Sequence, residues 1–213
     1  MNYNHSKSMT NDYPENCPIC KEGRKIQVIS SFPKNKGKLY QCNDCNVQFF
    51  YPVKNPGSQW YENTSDYGIK GLVTPRVQRG SQKRFLKRYG YFPQGTNALE
   101  LGCGSGEFLH EIERRGCNVF GVDFDRKGIE LAQKYFNLKN VFAADFEEFF
   151  KGVDLPKFDY IFFFEVIEHL DDPLGFMSNV KTLLKPGGMF ILSTPSRERM
   201  LANWAHWDFP PHH

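Results

Sequence analysis

The sequence predicts an α/β fold, a mainly parallel and doubly wound sheet, carried behind a small cysteine-bearing module. Three observations predict it. From residue 96 onward, short apolar runs alternate with segments of helical period, as strands joined by crossover helices do. A glycine-rich turn, Gly102-Cys103-Gly104-Ser105-Gly106, falls between the first such strand and the first such helix. Upstream, Cys17-Pro18-Ile19-Cys20 and Cys42-Asn43-Asp44-Cys45 form two pairs at metal-ligand spacing.

The module comes first in the chain. Its cysteine pairs are separated by 21 residues. A C-x2-C turn lets two thiolates converge on one ion, and two such turns complete a closed tetrahedral site. Cys17, Cys20, Cys42 and Cys45 therefore read as ligands of a structural Zn²⁺, in a ribbon too small to fold without a staple. A redox-active thiol pair is the competing reading. Alternating stretches at 25–29 and 38–42 read as the ribbon's strands, and residues 1–55 are assigned to it. Cys103 and Cys117 lie elsewhere and read as buried thiols.

Residues 56–95 read as a connector and a basic helix. The stretch 52–75 is rich in Pro, Gly, Asn and Ser; Trp60-Tyr61 and Asp66-Tyr67 supply aromatics that would dock it. Residues 76–90 suit a helix with Val77, Phe85, Leu86 and Tyr89 toward a core, a pattern weakened by Gly80.

The body, 96–213, follows as strand 98–101, helix 107–116 with Phe108, Leu109 and Ile112 inward, strand 118–122, helix 126–136 and strand 141–144. The run Phe158 to Phe164 (FDYIFFF) is so apolar that both of its faces must be covered. A helix over 174–184 stops at Lys185-Pro186-Gly187-Gly188, and the last strand is 189–193.

Composition narrows the class of protein. Hydrophobic residues are 40% and charged residues 24% of 213, which excludes a collagen-like or wholly disordered chain. No run approaches the length of a membrane-spanning helix, and the N-terminus lacks an apolar leader, so the expected compartment is the cytoplasm with no membrane partner. The net charge of +3 divides unevenly: +3 over 1–75, +6 over 76–95 and −6 over 96–213. An acidic body thus carries a basic neck, read as a solvated helix face or as a surface for an anionic substrate.

The glycine turn lets a ligand approach the backbone above a helix N-terminus, but G-x-G-x-G alone fits several nucleoside cofactors. Two acids narrow the choice. Glu107 stands near the place where a dinucleotide fingerprint needs room for pyrophosphate. Glu100, just before the turn, suits a cofactor with a cationic end.

These residues carry a resemblance. Over 99–193 the chain resembles class I S-adenosylmethionine-dependent methyltransferases, whose fold is Rossmann-like. Leu99-Glu100-Leu101-Gly102-Cys103-Gly104-Ser105-Gly106 is similar to their first motif, Gly121-Val122-Asp123 to the second and Ala144-Asp145-Phe146 to the third. Phe158-Asp159-Tyr160-Ile161 and Leu184-Lys185-Pro186-Gly187-Gly188 resemble the motifs around strands four and five. The resemblance implies S-adenosylmethionine as cofactor. Gly102, Cys103, Gly104 and Gly106 would pass under its methionine and ribose, with Glu100 at its amino end. Asp123, followed by Phe124, would accept the ribose hydroxyls. Asp145 would accept from the adenine amino group, with Phe146 beside the ring. The plainer reading of Asp123 and Asp145 is a helix N-cap.

After the fourth body strand comes Glu165-Val166-Ile167-Glu168-His169-Leu170. Ligands of open α/β sheets bind beyond the carboxyl ends of the strands, so the segment is placed for chemistry. A helical turn would set Glu165, Glu168 and His169 on one side. His169 would be the general base that takes the acceptor's proton. The string also resembles that of plant small-RNA 2′-O-methyltransferases and ubiquinone-pathway O-methyltransferases, where it is associated with a divalent ion. That implies Mg²⁺ or another divalent ion at Glu165, Glu168 and His169, with His206, His212 or His213 as the later ligand. Metal site, metal-free base or substrate contact, and structural cap stand side by side. Ser196 lacks a paired base, which removes a hydrolase.

Ribbon, aromatic connector and body together resemble bacterial sugar and polysaccharide methyltransferases, and also zinc-ribbon rRNA guanine methyltransferases. The expectation is methyl transfer to an oxygen or carbon of a small molecule or sugar. RNA, met through the ribbon and basic neck, is the runner-up, and a non-catalytic cofactor-binding scaffold is third. The resemblance implies seven strands. Only about twenty residues follow strand five, among them Trp204, Trp207, Pro210 and Pro211. The body is therefore expected to be C-terminally incomplete, lacking the last two strands.

Overall fold

The computed structural model describes residues 13–23, 25–31, 38–51, 80–152 and 154–195. The connector with Trp60, Tyr61, Asp66, Tyr67 and Val77 lies outside these residues. So do Ser196, Trp204, His206, Trp207, Pro210, Pro211, His212 and His213. The chain divides into two compact units, the first made chiefly of residues 1–55.

In the first unit, strands β1 (Ile26–Ser31), β2 (Lys38–Cys42) and β3 (Gln48–Tyr51) form an antiparallel sheet in that order. The third strand was not foreseen. Its small core is aromatic: Tyr40 is fully buried, stacks on Phe49 and meets Tyr13 and Tyr51 edge to face.

The second unit begins, among described residues, with helix α1 (Gly80–Tyr89). Then come β4 (Asn97–Leu101), α2 (Glu107–Glu113), β5 (Asn118–Asp123), α3 (Arg126–Phe136) and β6 (Val141–Ala143). They are followed by α4 (Phe146–Gly152), β7 (Phe158–Phe164), a 3₁₀ turn (Ile167–His169), α5 (Pro173–Leu183) and β8 (Leu184–Ser193). The strands lie in the order β6-β5-β4-β7-β8, every neighbouring pair parallel. The doubly wound expectation holds, with five strands among the described residues.

The apolar strands are covered on both faces. One face of the sheet packs on Phe108, Leu109 and Ile112 of α2 and Ile129, Ala132 and Phe136 of α3, with Phe85 and Leu86 of α1 beside them. The other packs on Phe146 and Phe149 of α4 and Phe176 and Val180 of α5. Along β7, Tyr160, Phe162 and Phe164 stack at successive alternate positions, and Phe85 meets Phe162 edge to face at 5.2 Å. The period of two places these rings on one face, which explains the FDYIFFF run.

Three expectations are corrected, and one helix was not foreseen. Tyr89 is 57% exposed, not inward; the helix ends there and Phe92, 4% exposed, fills the core position beside Phe85 instead. The helix foreseen over 107–116 ends at Glu113, because residues 114–116 turn back into Gly116, whose φ is +94°. The segment after β6 folds as α4, capped by Asp145. Lys185-Pro186-Gly187-Gly188 is a bulge inside β8 and not a break before it: Leu184 already pairs with Phe158, and pairing resumes at Met189 with Tyr160.

Candidate functional site

Parallel pairing aligns the carboxyl ends of all five strands on one edge. Leu101 stands beside Val122, Asp123 beside Ala143, and Phe164 beside Ser193. The chain runs from β4 to β5 and β6 on one side, then returns to β7 on the other. The switch point lies between β4 and β7, where an open α/β sheet leaves its crevice. The turn Gly102–Gly106 and the segment after β7 flank it.

The glycine turn is braced from several directions. Gly102 and Cys103 donate to the Val122 carbonyl at 2.8 and 3.2 Å, and Gly106 donates to Cys103 at 3.0 Å. Gly102, Gly104 and Gly106 have φ of +81°, +54° and +80°, which side chains resist. The first residues of α3 press close behind: a Cβ at Gly128 would stand 3.1 Å from the Gly104 carbonyl. Asp123, at the end of β5, ties the two loops together. Its Oδ2 accepts from Gly104 N–H at 2.7 Å and its Oδ1 from Asp125 N–H at 2.8 Å.

The N-cap weighed for Asp123 belongs to Asp125, whose carboxylate accepts from Lys127 and Gly128 N–H at 3.0 and 3.2 Å. An acid directly before a helical run is the signal that finds it. The N-cap weighed for Asp145 is present, since Oδ1 accepts from Glu148 N–H at 2.6 Å. Phe146 is buried in the core with Phe163 and Phe176 around it, and Phe124 tilts onto it at 5.5 Å. Cys103 is buried with its sulfur against Gly121, so the turn presents the backbone of this residue and not its thiol. Glu100 is 1% exposed and accepts at Oε1 from Gln82 Nε2 of α1 at 2.8 Å.

Glu165, Glu168 and His169 do not share one helical face. Glu165 precedes the 3₁₀ turn at φ +58°, continues the β8 ladder through its N–H to Ser193 O, and accepts from Ser193 Oγ at 2.6 Å. Glu168 accepts from Thr194 Oγ1 at 3.2 Å. Among the described residues, the four ribbon cysteines are the group of three or more ligand-type side chains whose ligand atoms converge. Val166, which sequence reasoning passed over, lies on Gly102. A separate groove of about 510 Å³ runs beside edge strand β6, lined by Arg126, Ile129, Gln133, Phe142 and Glu148, and contains no residue of the glycine turn.

In the ribbon, Cys17 and Cys45 Sγ are 3.6 Å apart, as are Cys20 and Cys42 Sγ. All four sulfurs lie within 4.8 Å of one another. The two cysteine turns repeat one geometry. Cys17 N–H donates to Glu22 O and Cys42 N–H to Val47 O, and the residue after each turn, Lys21 and Asn46, has φ +60°. Ile19 N–H donates to Cys17 Sγ. The Cys45 amide, helped by that of Asp44 and opposed by burial, holds the Cys42 thiol down at about 7.

Comparison with known proteins gives concordant results. The family model described as a methyltransferase domain matches residues 76–213. The chain is similar to the ubiquinone biosynthesis O-methyltransferase of Actinobacillus pleuropneumoniae, 32% identical over 110 residues, which are 48% of this chain and 47% of that protein. It is 35% identical over 107 residues to the mitochondrial ubiquinone biosynthesis O-methyltransferase of Schizosaccharomyces pombe, 48% of this chain and 39% of that one. The chain spans about half the length of the curated relatives it matches. Among solved structures, Haemonchus contortus phosphoethanolamine N-methyltransferase 2, in complex with S-adenosyl-L-methionine, matches with TM-score 0.50 and 22% identity, over 73% of this chain and 40% of that one. That likeness is one of fold.

Proposed function

The chain belongs to the methyltransferase-domain family, matched over residues 76–213, and from that premise we propose that it binds S-adenosylmethionine at the carboxyl edge of its sheet and transfers the methyl group to an oxygen of a small-molecule acceptor. The observation that carries the reading is Asp123 joining the glycine turn to the loop before α3. A ligand laid across Gly102–Gly106 meets a backbone turn of three left-handed glycines, and meets a carboxylate suited to accept hydroxyl donors. The bound cofactor would supply an electrophilic methyl on a sulfonium, and the chain's residues do the rest.

In this reading Gly102, Cys103, Gly104 and Gly106 offer backbone to the cofactor, Asp123 holds the ribose, and Glu100 holds the amino end. Asp145 keeps its second oxygen for the adenine amino group, and Phe124 stands beside that end. His169 takes the acceptor's hydroxyl proton as the new carbon–oxygen bond forms and the carbon–sulfur bond breaks. Glu165 and Glu168 latch the segment after β7 to Ser193 and Thr194, which fixes where His169 stands. Each bond uses one oxygen of its carboxylate, and in this reading His169 acts as a metal-free base. The oxygen acceptor follows the names of the curated relatives. The test is a methyl-transfer screen over phenols, nucleotide-sugars and RNA with labelled S-adenosylmethionine; transfer to a phenol or sugar hydroxyl supports the reading, and transfer to RNA alone overturns it.

For the ribbon we propose a structural Zn²⁺ on Cys17, Cys20, Cys42 and Cys45. A Zn–S bond of about 2.3 Å sets sulfur–sulfur edges of about 3.8 Å in a tetrahedron. The observed 3.6 Å separations fit that figure and are far from a disulfide bond. The paired turns with their amide-to-sulfur bonds suit thiolates closing on one ion.

A further inference from the structure

We infer that Gln82 is a positioning residue of the cofactor site, acting through Glu100; the inference rests on the S-adenosylmethionine reading above. Alternation along β4 sends Glu100 to the same sheet face as Ala98, toward the cluster built from Phe108, Leu109 and Phe162. A carboxylate on an apolar face needs hydrogen-bonding partners to stay ionised there. Gln82 Nε2 provides one at 2.8 Å, with both residues buried, at 6% and 1% exposure.

The placement of Gln82 is specific. Helix α1 is otherwise a cationic, solvent-facing element: Lys83, Arg84, Lys87 and Arg88 are exposed, and Gln82 is its single buried residue among those described. Gln82, Phe85 and Leu86 form one stripe at helical spacing, so the two apolar side chains that dock the helix also set the amide against Glu100. Glu100 stands two residues before Gly102, at the mouth of the glycine turn. An amide bonded to one of its oxygens fixes the plane of the carboxyl group. That orientation matters to a carboxylate that receives an ammonium group. Helix α1 thereby shares in cofactor binding although it lies outside the strand–turn–helix motif.

The test separates the two ends of the cofactor. S-adenosylhomocysteine carries the amino-acid end, whereas 5′-methylthioadenosine lacks it and keeps ribose and adenine. Both are titrated calorimetrically into the full chain, wild type, Gln82→Leu and Gln82→Glu. Gln82→Leu is expected to weaken S-adenosylhomocysteine about tenfold or more, the scale of a lost hydrogen bond to a charged group, and to leave methylthioadenosine within about twofold. Gln82→Glu keeps the shape, turns the donor into an acceptor, and is expected to weaken S-adenosylhomocysteine at least as much. Unchanged S-adenosylhomocysteine binding in both variants overturns the inference. Equal losses for the two ligands also overturn it, by assigning Gln82 to packing alone. A wild-type chain that binds neither ligand overturns the cofactor reading itself, a result distinct from either of these.

Discussion

Val166 rests directly on Gly102: a Cβ at position 102 would stand 2.6 Å from Val166 Cγ2, at a residue whose φ is already +81°. The segment that carries the proposed base is thus seated on the turn that carries the proposed cofactor, across the switch point of the sheet. Gly102→Ala should cost about 2–5 kcal/mol, from left-handed backbone plus overpacking, and lower Tm by about 5–15 °C. Adding Val166→Ala should restore part of that loss, because it removes the clash and leaves the backbone strain. Thermal melts of the single and double variants check this; no recovery in the double variant contradicts the contact.

His169→Ala should lower the rate of methyl transfer by about 10²–10⁴-fold while S-adenosylhomocysteine binding stays within about twofold. Activity should be indifferent to EDTA once the ribbon metal is retained. An activity that requires added Mg²⁺ would return Glu165, Glu168 and His169 to the role of ligands.

The ribbon should contain one zinc per chain by elemental analysis, and Cys45→Ser should lose it. Strong chelation should unfold the ribbon, since metal binding and folding are coupled in so small a module. A mass lowered by the hydrogens of two disulfides, with no metal, would contradict the assignment.

Asp159 supports the opposite edge of the sheet. Burial pushes its pKa up, but Lys185 Nζ at 2.8 Å and Asn97 N–H at 2.8 Å prevail and hold the carboxyl below its ordinary value. A depressed folded pKa contributes stability above the unfolded value, lost as pH falls through the folded one. Asp159→Asn should therefore lower Tm at pH 7. The gap from wild type should close only below about pH 4. A gap that persists unchanged at pH 2–3 contradicts the charge-based account.

Much of this was legible in the sequence, for identifiable reasons. Strand and helix bounds in the body follow hydrophobic period, and α3 has the span its pattern sets, 126–136. The glycine turn and Asp123 follow from the strand–turn–helix order. What escaped depends on contacts between segments distant in sequence. Gln82 meets Glu100 across 18 residues, and Ser193 meets Glu165 across 28. No local pattern encodes those pairs, although the stripe of Gln82, Phe85 and Leu86 hints at the first. The shared helical face of Glu165, Glu168 and His169 failed because Glu165 is held in the left-handed region by its ladder bond to Ser193. A helix cannot begin there. Short α4 was hidden because Phe146-Glu147-Glu148-Phe149-Phe150 is read equally as strand or helix until Asp145 caps it.

Calorimetric titration of S-adenosylhomocysteine into the wild-type chain and Asp123→Ala tests the central claim most directly. The account predicts one saturable site in the wild type and binding at least about tenfold weaker in the variant, because both the ribose acceptor and the brace of the glycine turn are lost. No heat with the wild type, or equal affinity in the two proteins, would contradict it.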